Sequence, residues 1–162
     1  MCRTVNGSDI HGLGQQKDGR GNIAPVTIIL PTLAMKAKKR GGDVVEQFMQ
    51  LFDQKLFEAR DMLIERFEYI CGQDPSAAKF MYENGLMAGY VPEEGIYSAL
   101  KHGTLTIGGI GIAETLQILI GCDHTEERGM ELAKRICQLW KDRCAQFKQE
   151  EQLNFGVYFT PA

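Results

Sequence analysis

No stretch of this sequence is apolar for anything near the ~20 residues that a membrane-spanning helix requires, so no transmembrane segment is expected. No signal peptide is expected from the opening residues, which are polar and glycine-rich. Positive charge is not in excess. A formal net charge of −3 removes the electrostatic footprint of a protein that binds polymeric nucleic acid. Cysteines number five, an odd count with no C-x-x-C pair, which argues against a disulfide framework and for a reducing compartment, read here as the cytoplasm. There is no internal repeat and no low-complexity segment. The 162 residues, 44% hydrophobic and 24% charged, suffice for one globular unit.

The stretch that organises the rest runs from Gly19 to Pro31. A glycine-punctuated turn, Gly19-Arg20-Gly21-Asn22, feeds a β-branched apolar run that closes on proline. Little polar alternation interrupts Ile23 to Leu30, and the run reads as a strand buried on both faces, as in parallel sheets. Upstream, Cys2 and Arg3 are joined to this turn by a polar, glycine-rich loop. Such a loop is able to gather a thiol, a guanidinium and an amide. His11, inside it, reads as a solvent-exposed loop histidine.

A short helix is expected from Thr32 to about Lys39, ended by Gly41-Gly42. Its basic cluster, Lys36, Lys38, Lys39 and Arg40, suits the negative end of the helix dipole better than a nucleic-acid patch. Asp43 followed by Glu46 resembles a capping box, and Val45, Phe48, Met49, Phe52, Leu56, Ala59, Leu63 and Phe67 recur at steps of three and four as far as Gly72. Two short helices, from Ser76 to Asn84 and from Glu93 to Lys101, precede a second strand over Gly103–Gly108. Ile112–Ile120 reads as a helix. A long amphipathic helix over Glu126–Glu150 carries Met130, Ala133, Ile136, Cys137, Trp140, Cys144 and Phe147 on one stripe. A third strand covers Asn154–Thr160. Strands separated by helical pairs define an α/β chain with a mostly parallel sheet.

Three chemistries compete for the glycine, cysteine and histidine residues. Gly108, Gly109 and Gly111 fit neither nucleotide-binding glycine template, and close approach of the backbone to a neighbour or ligand explains them more simply. Cys122, His124, Cys137 and Cys144 lack zinc spacing and read as buried thiols. A cysteine hydrolase would use Cys2 with His11 or His102 and Asn22, yet nothing in the sequence places these in contact.

Five segments taken together resemble the central catalytic region of anaerobic (class III) ribonucleoside-triphosphate reductases. They are Met1-Cys2-Arg3; Gly19-Arg20-Gly21-Asn22; Thr27-Ile28-Ile29-Leu30-Pro31; His102 to Gly108 with Gly111-Ile112-Ala113-Glu114; and Asn154-Phe155 through Thr160-Pro161-Ala162. The order is the family's and the resemblance spans nearly the whole chain. It departs at Ile29, where asparagine is usual, and at Gly109, where an aromatic is common.

The resemblance implies a partial arc of the ten-stranded α/β barrel of the glycyl-radical and ribonucleotide-reductase superfamily. Residues 1–162 would be one fragment of the catalytic barrel, without the N-terminal allosteric region or the C-terminal glycyl-radical region. It implies reduction of ribonucleoside triphosphates by thiyl-radical chemistry. Cys2 and Asn22 would be catalytic, and Arg3, Arg20, Thr160 and Ala162 would lie on the substrate side. No cofactor is expected within the fragment. The complete enzyme would use a glycyl radical, a structural zinc and ATP or dATP effectors. Its partners would be the nucleotide substrate, formate or a thiol reductant, a radical S-adenosylmethionine activase, and a second copy in a homodimer. A non-catalytic remnant or interaction domain with the same fold is the alternative.

Overall fold

The computed structural model describes residues 6–159. Its sheet has three strands, β1 (Val26–Ile29), β2 (Leu105–Ile110) and β3 (Phe155–Phe159), in the order β1-β2-β3 and all parallel. Six α-helices are described: α1 (Leu30–Arg40), α2 (Val44–Cys71), α3 (Lys79–Glu83), α4 (Tyr97–Leu100), α5 (Ile112–Ile120) and α6 (Glu127–Glu151). Parallel strands need long crossovers, and these helices supply them. None is long and apolar enough to cross a membrane.

Sheet alternation sorts the strand residues into two faces. Val26, Ile28, Ile107, Gly109, Phe155, Val157 and Phe159 form one set; Thr27, Ile29, Thr106, Gly108, Ile110, Gly156 and Tyr158 form the other. The first set meets the helices. Phe155 packs edge-on against Phe147 of α6 at 5.7 Å between ring centroids, and Phe159 does the same against Trp140 at 5.7 Å. Between α2 and α6 lies the core of Phe48, Phe52, Leu56, Ile136, Trp140 and Phe147, all fully buried.

The expectation that the first strand is buried on both faces is corrected. β1 is an outer strand of the described sheet, and Thr27 and Ile29 are exposed, Ile29 at 59%. The central strand β2 is the one buried on both sides, from Leu105 to Gly109. Leu30 and Pro31 begin α1 rather than end β1. Proline is tolerated in a first helical turn, where its missing N–H has no intrahelical partner.

At α2 the Asp43 carboxylate accepts from the amides of Val45 and Glu46, each at 3.1 Å. Glu46 does not complete a capping box; its carboxylate meets Arg135 on α6 instead. A second bridge between these helices is bidentate, Arg143 to Asp53 at 2.6 and 2.9 Å. The stripe expected on α6 holds except at Met130, which is 40% exposed. Gly129 takes the inward position there, because a Cβ on it would sit 1.7 Å from the Asp123 carbonyl oxygen.

Candidate active site

The polar turn at Gly19–Asn22 does not hang free of the sheet. The Thr104 amide donates to the Gly21 carbonyl and the Ile23 amide to the Thr104 carbonyl, each at 2.9 Å, so Asn22 forms a parallel bridge with Thr104. The turn is thereby stitched to the N-terminal end of β2. Gly19 packs so closely on the next loop that a Cβ would lie 2.7 Å from the Ala88 nitrogen, and the Ala88 amide donates to the Gly19 carbonyl at 2.9 Å. A cleft of about 270 Å³ opens beside the turn, lined by Arg20, Asn22, Met81, Met87 and Leu100 among others.

Arg20 is turned toward the backbone. Its guanidinium donates from Nε to the His102 carbonyl at 2.6 Å, and from its terminal nitrogens to Gln16 at 2.5 Å and Gly7 at 3.1 Å. One side chain thus holds three points of the 6–22 loop and the turn before β2. This is a clamp on the loop, made by the side chain that the family resemblance puts on the substrate side.

Behind the clamp lies a buried polar cluster that motif reading missed. Asp9, His102 and Asn154 are 7%, 5% and 2% exposed. One Asp9 oxygen lies 2.8 Å from His102 Nδ1 and accepts from the Leu13 amide at 3.0 Å; the other accepts from Asn154 Nδ2 at 2.7 Å. Asn154 also donates to the carbonyls of Lys101 and Gly103, and its oxygen accepts from the Ile10 amide at 3.1 Å. Burial alone would raise the Asp9 carboxyl. The hydrogen bonds from His102, Asn154 and the amides of Leu13 and His11 outweigh it and hold the group well below the usual carboxylate range. An ionised Asp9 has no proton to give, so His102 Nδ1 is the donor.

No sequence signal links these residues, which lie more than fifty positions apart. Asn6-Gly7-Ser8-Asp9 reads simply as turn chemistry.

His11 departs from its expected place as an exposed loop residue. It is half-buried, its Nε2 is 3.0 Å from the Gln152 carbonyl oxygen, and its ring stands edge-on to His102 at 6.0 Å. His102 Nε2 faces Gly89, where a Cβ would approach to 2.4 Å. With Nδ1 committed to Asp9 and Nε2 walled in, His102 is poorly placed to serve as the base of a hydrolase.

On the helix-free face, Thr27, Gly108 and Tyr158 stand in register across the three strands. The Thr27 and Tyr158 hydroxyls meet at 3.2 Å, spanning Gly108, which carries no side chain to block them. Asn22, bridged to Thr104, lies at the N-terminal edge of the sheet and Phe159, paired with Gly109, at the C-terminal edge, about 16–17 Å apart along the strand direction. Cys2, Arg3, Thr160 and Ala162 lie outside the described residues. Among the described residues, no three His, Cys, Asp or Glu side chains are grouped to hold a metal ion. Cys122 and Cys144 are buried and Cys137 is half-buried, with burial pushing the Cys144 thiol up to about 12.

The fold and site define a parallel α/β unit with a polar loop pinned to one end of its sheet. The family model for anaerobic ribonucleoside-triphosphate reductase matches residues 1–162, and the chain belongs to that family. It is 31% identical over 162 residues to the anaerobic ribonucleoside-triphosphate reductase of Escherichia coli, an alignment covering 97% of this chain and 21% of that protein. It is 28% identical over 148 residues to the enzyme of the same name from bacteriophage T4, covering 90% of this chain and 23% of the relative. The chain therefore spans about a fifth of the length of these relatives. Its fold is similar to the crystal structure of the anaerobic ribonucleotide reductase from Thermotoga maritima with citrate in the active site. The TM-score is 0.71 at 19% identity, covering 99% of this chain and 27% of that one.

Proposed function

We propose that this chain is part of the catalytic barrel of an enzyme that reduces ribonucleoside triphosphates, with its three-stranded sheet forming an arc of a ten-stranded barrel. The observation that carries the reading is the Gly-Arg-Gly-Asn turn stitched by Gly21, Asn22 and Ile23 to the head of β2, in a chain matched by the family throughout. Cys2 is the hydrogen-abstracting thiol and Asn22 positions the ribose by a hydrogen bond. Arg3, Thr160 and Ala162 line the substrate side, and Arg20 contributes by holding the loop. Formate or a thiol supplies the reducing electrons, and a radical S-adenosylmethionine activase installs the radical in a cytoplasmic homodimer.

A glycyl radical, when present, supplies the radical that reaches Cys2. Among the described residues no three His, Cys, Asp or Glu side chains are grouped to hold a metal ion, and no step here runs through the structural zinc that the family implies. The chain's own residues hold the loop and turn in place and present Thr27, Thr106, Gly108, Gly156 and Tyr158, beside Ile29 and Ile110, on the helix-free face. The reading is tested by Cys2→Ser in the reductase that carries this chain. Nucleotide reduction should disappear while nucleotide binding stays close to normal; appreciable turnover in the variant would make Cys2 a structural residue.

A further inference from the structure

We infer that Asp9, His102 and Asn154 are positioning residues, a buried polar clip that sets the Gly19–Asn22 turn and its loop against the heads of the strands. The inference rests on the reductase reading above and adds residues to its site. Each member comes from a different part of the chain. Asp9 lies in the loop, His102 in the turn before β2, and Asn154 immediately before β3. Arg20, two residues from Asn22, donates to the carbonyl of His102 itself. Any shift of His102 is therefore passed directly to the turn that carries Asn22.

The chemistry of the clip favours placement over mere cohesion. An apolar cluster could fill the same space without desolvating a carboxylate. A carboxylate, an imidazole and an amide instead fix distances and directions through hydrogen bonds, which apolar contacts leave loose. The Asp9 carboxylate receives bonds from His102, Asn154 and its own loop at Leu13, so one group orients both anchors and the loop. His102 cannot itself reach out as a base, since Gly89 closes off Nε2. Its contribution is to hold, not to transfer a proton.

The test compares His102→Ala with His102→Asn in the reductase carrying this chain. Asparagine can place a donor near Nδ1 and keep the bond to Asp9; alanine cannot. His102→Ala should lower kcat by about tenfold or more, with KM for the nucleotide changed by less than about threefold, because misplacement acts on the reacting geometry. His102→Asn should recover most of the loss. Equal turnover of wild type and His102→Ala, or failure of asparagine to do better than alanine at matched thermal stability, overturns the inference. A second measurement needs no activity. Amide hydrogen exchange should rise more at Leu13 and Ile23 than at the α2 and α6 core amides in Asp9→Asn, with no such local excess in His102→Asn. Uniform loosening across the chain, or none at Ile23, also overturns it. If the wild-type enzyme reduces no nucleotide, the reductase reading fails while the exchange experiment still decides the clip.

Discussion

Trp140 occupies the space that a side chain at position 109 would need. A Cβ built on Gly109 would lie 2.2 Å from the indole ring, which is itself fully buried and edge-on to Phe52 at 5.6 Å. The room beside Gly109 is filled from α6. Gly109→Ala should therefore destabilise the fold by about 1–3 kcal/mol through overpacking, read as a lower urea midpoint. In a double-mutant cycle, Trp140→Leu should relieve part of that cost. Strictly additive effects would show that the two sites are not in contact.

Asp9 makes stability depend on pH in one direction. Its folded carboxyl is held below its unfolded value of about 3.9. The stabilisation is therefore fully present above that value and is lost as pH falls from it toward the folded pKa. Unfolding free energy should decline below about pH 4, and Asp9→Asn should remove this share of the slope while lowering stability at pH 7 by on the order of 3 kcal/mol. An unchanged slope in Asp9→Asn would mean that other carboxyls carry the acid sensitivity.

The buried Cys144 and the half-buried Cys71 should be slow to react. Burial pushes the Cys144 thiol up to about 12, and burial with the nearby Glu68 charge pushes Cys71 up to about 11. At pH 8 few of either are thiolate, so iodoacetamide should label both slowly in the folded chain and quickly in urea. Cys137, also raised by burial, should hold no metal with Cys144. One zinc per purified chain would contradict this.

Asn22→Ala should behave unlike Cys2→Ser. Losing one positioning hydrogen bond, worth on the order of 1 kcal/mol, should reduce turnover by roughly fivefold without abolishing it. Radical content by electron paramagnetic resonance should survive both changes. Complete loss of turnover in Asn22→Ala would give the amide a larger part than placement.

The elements with strong periodicity were legible in the sequence. The α2 stripe from Phe48 to Phe67 is buried as its spacing demands, and the three strands pair in parallel as the intervening helices require. Where local pattern and tertiary context disagree, the sequence misleads. Ile29 is apolar yet exposed, because β1 is flanked on one side only in the described sheet. Gly108 and Gly109 look like a turn, yet they lie inside β2 because Trp140 and the Thr27–Tyr158 pair need the room. The five family segments marked the turn at Asn22 but not why it stays put. That answer depends on Asp9, His102 and Asn154 meeting across the chain, and such a meeting leaves no trace in spacing.

The parallel pairing also imposes an order in time. Val26 lies beside Ile107, about 80 residues further along, so at 5–20 residues per second the ribosome needs roughly 4–16 s to make the partner of β1. Until then Val26–Ile29 lacks its partner strand in the described sheet, while α1 and α2 follow it directly in the chain. The apolar strand β1 is thus made well before its partner in the described sheet, a hazard for a nascent chain that a chaperone able to hold an extended apolar peptide would relieve.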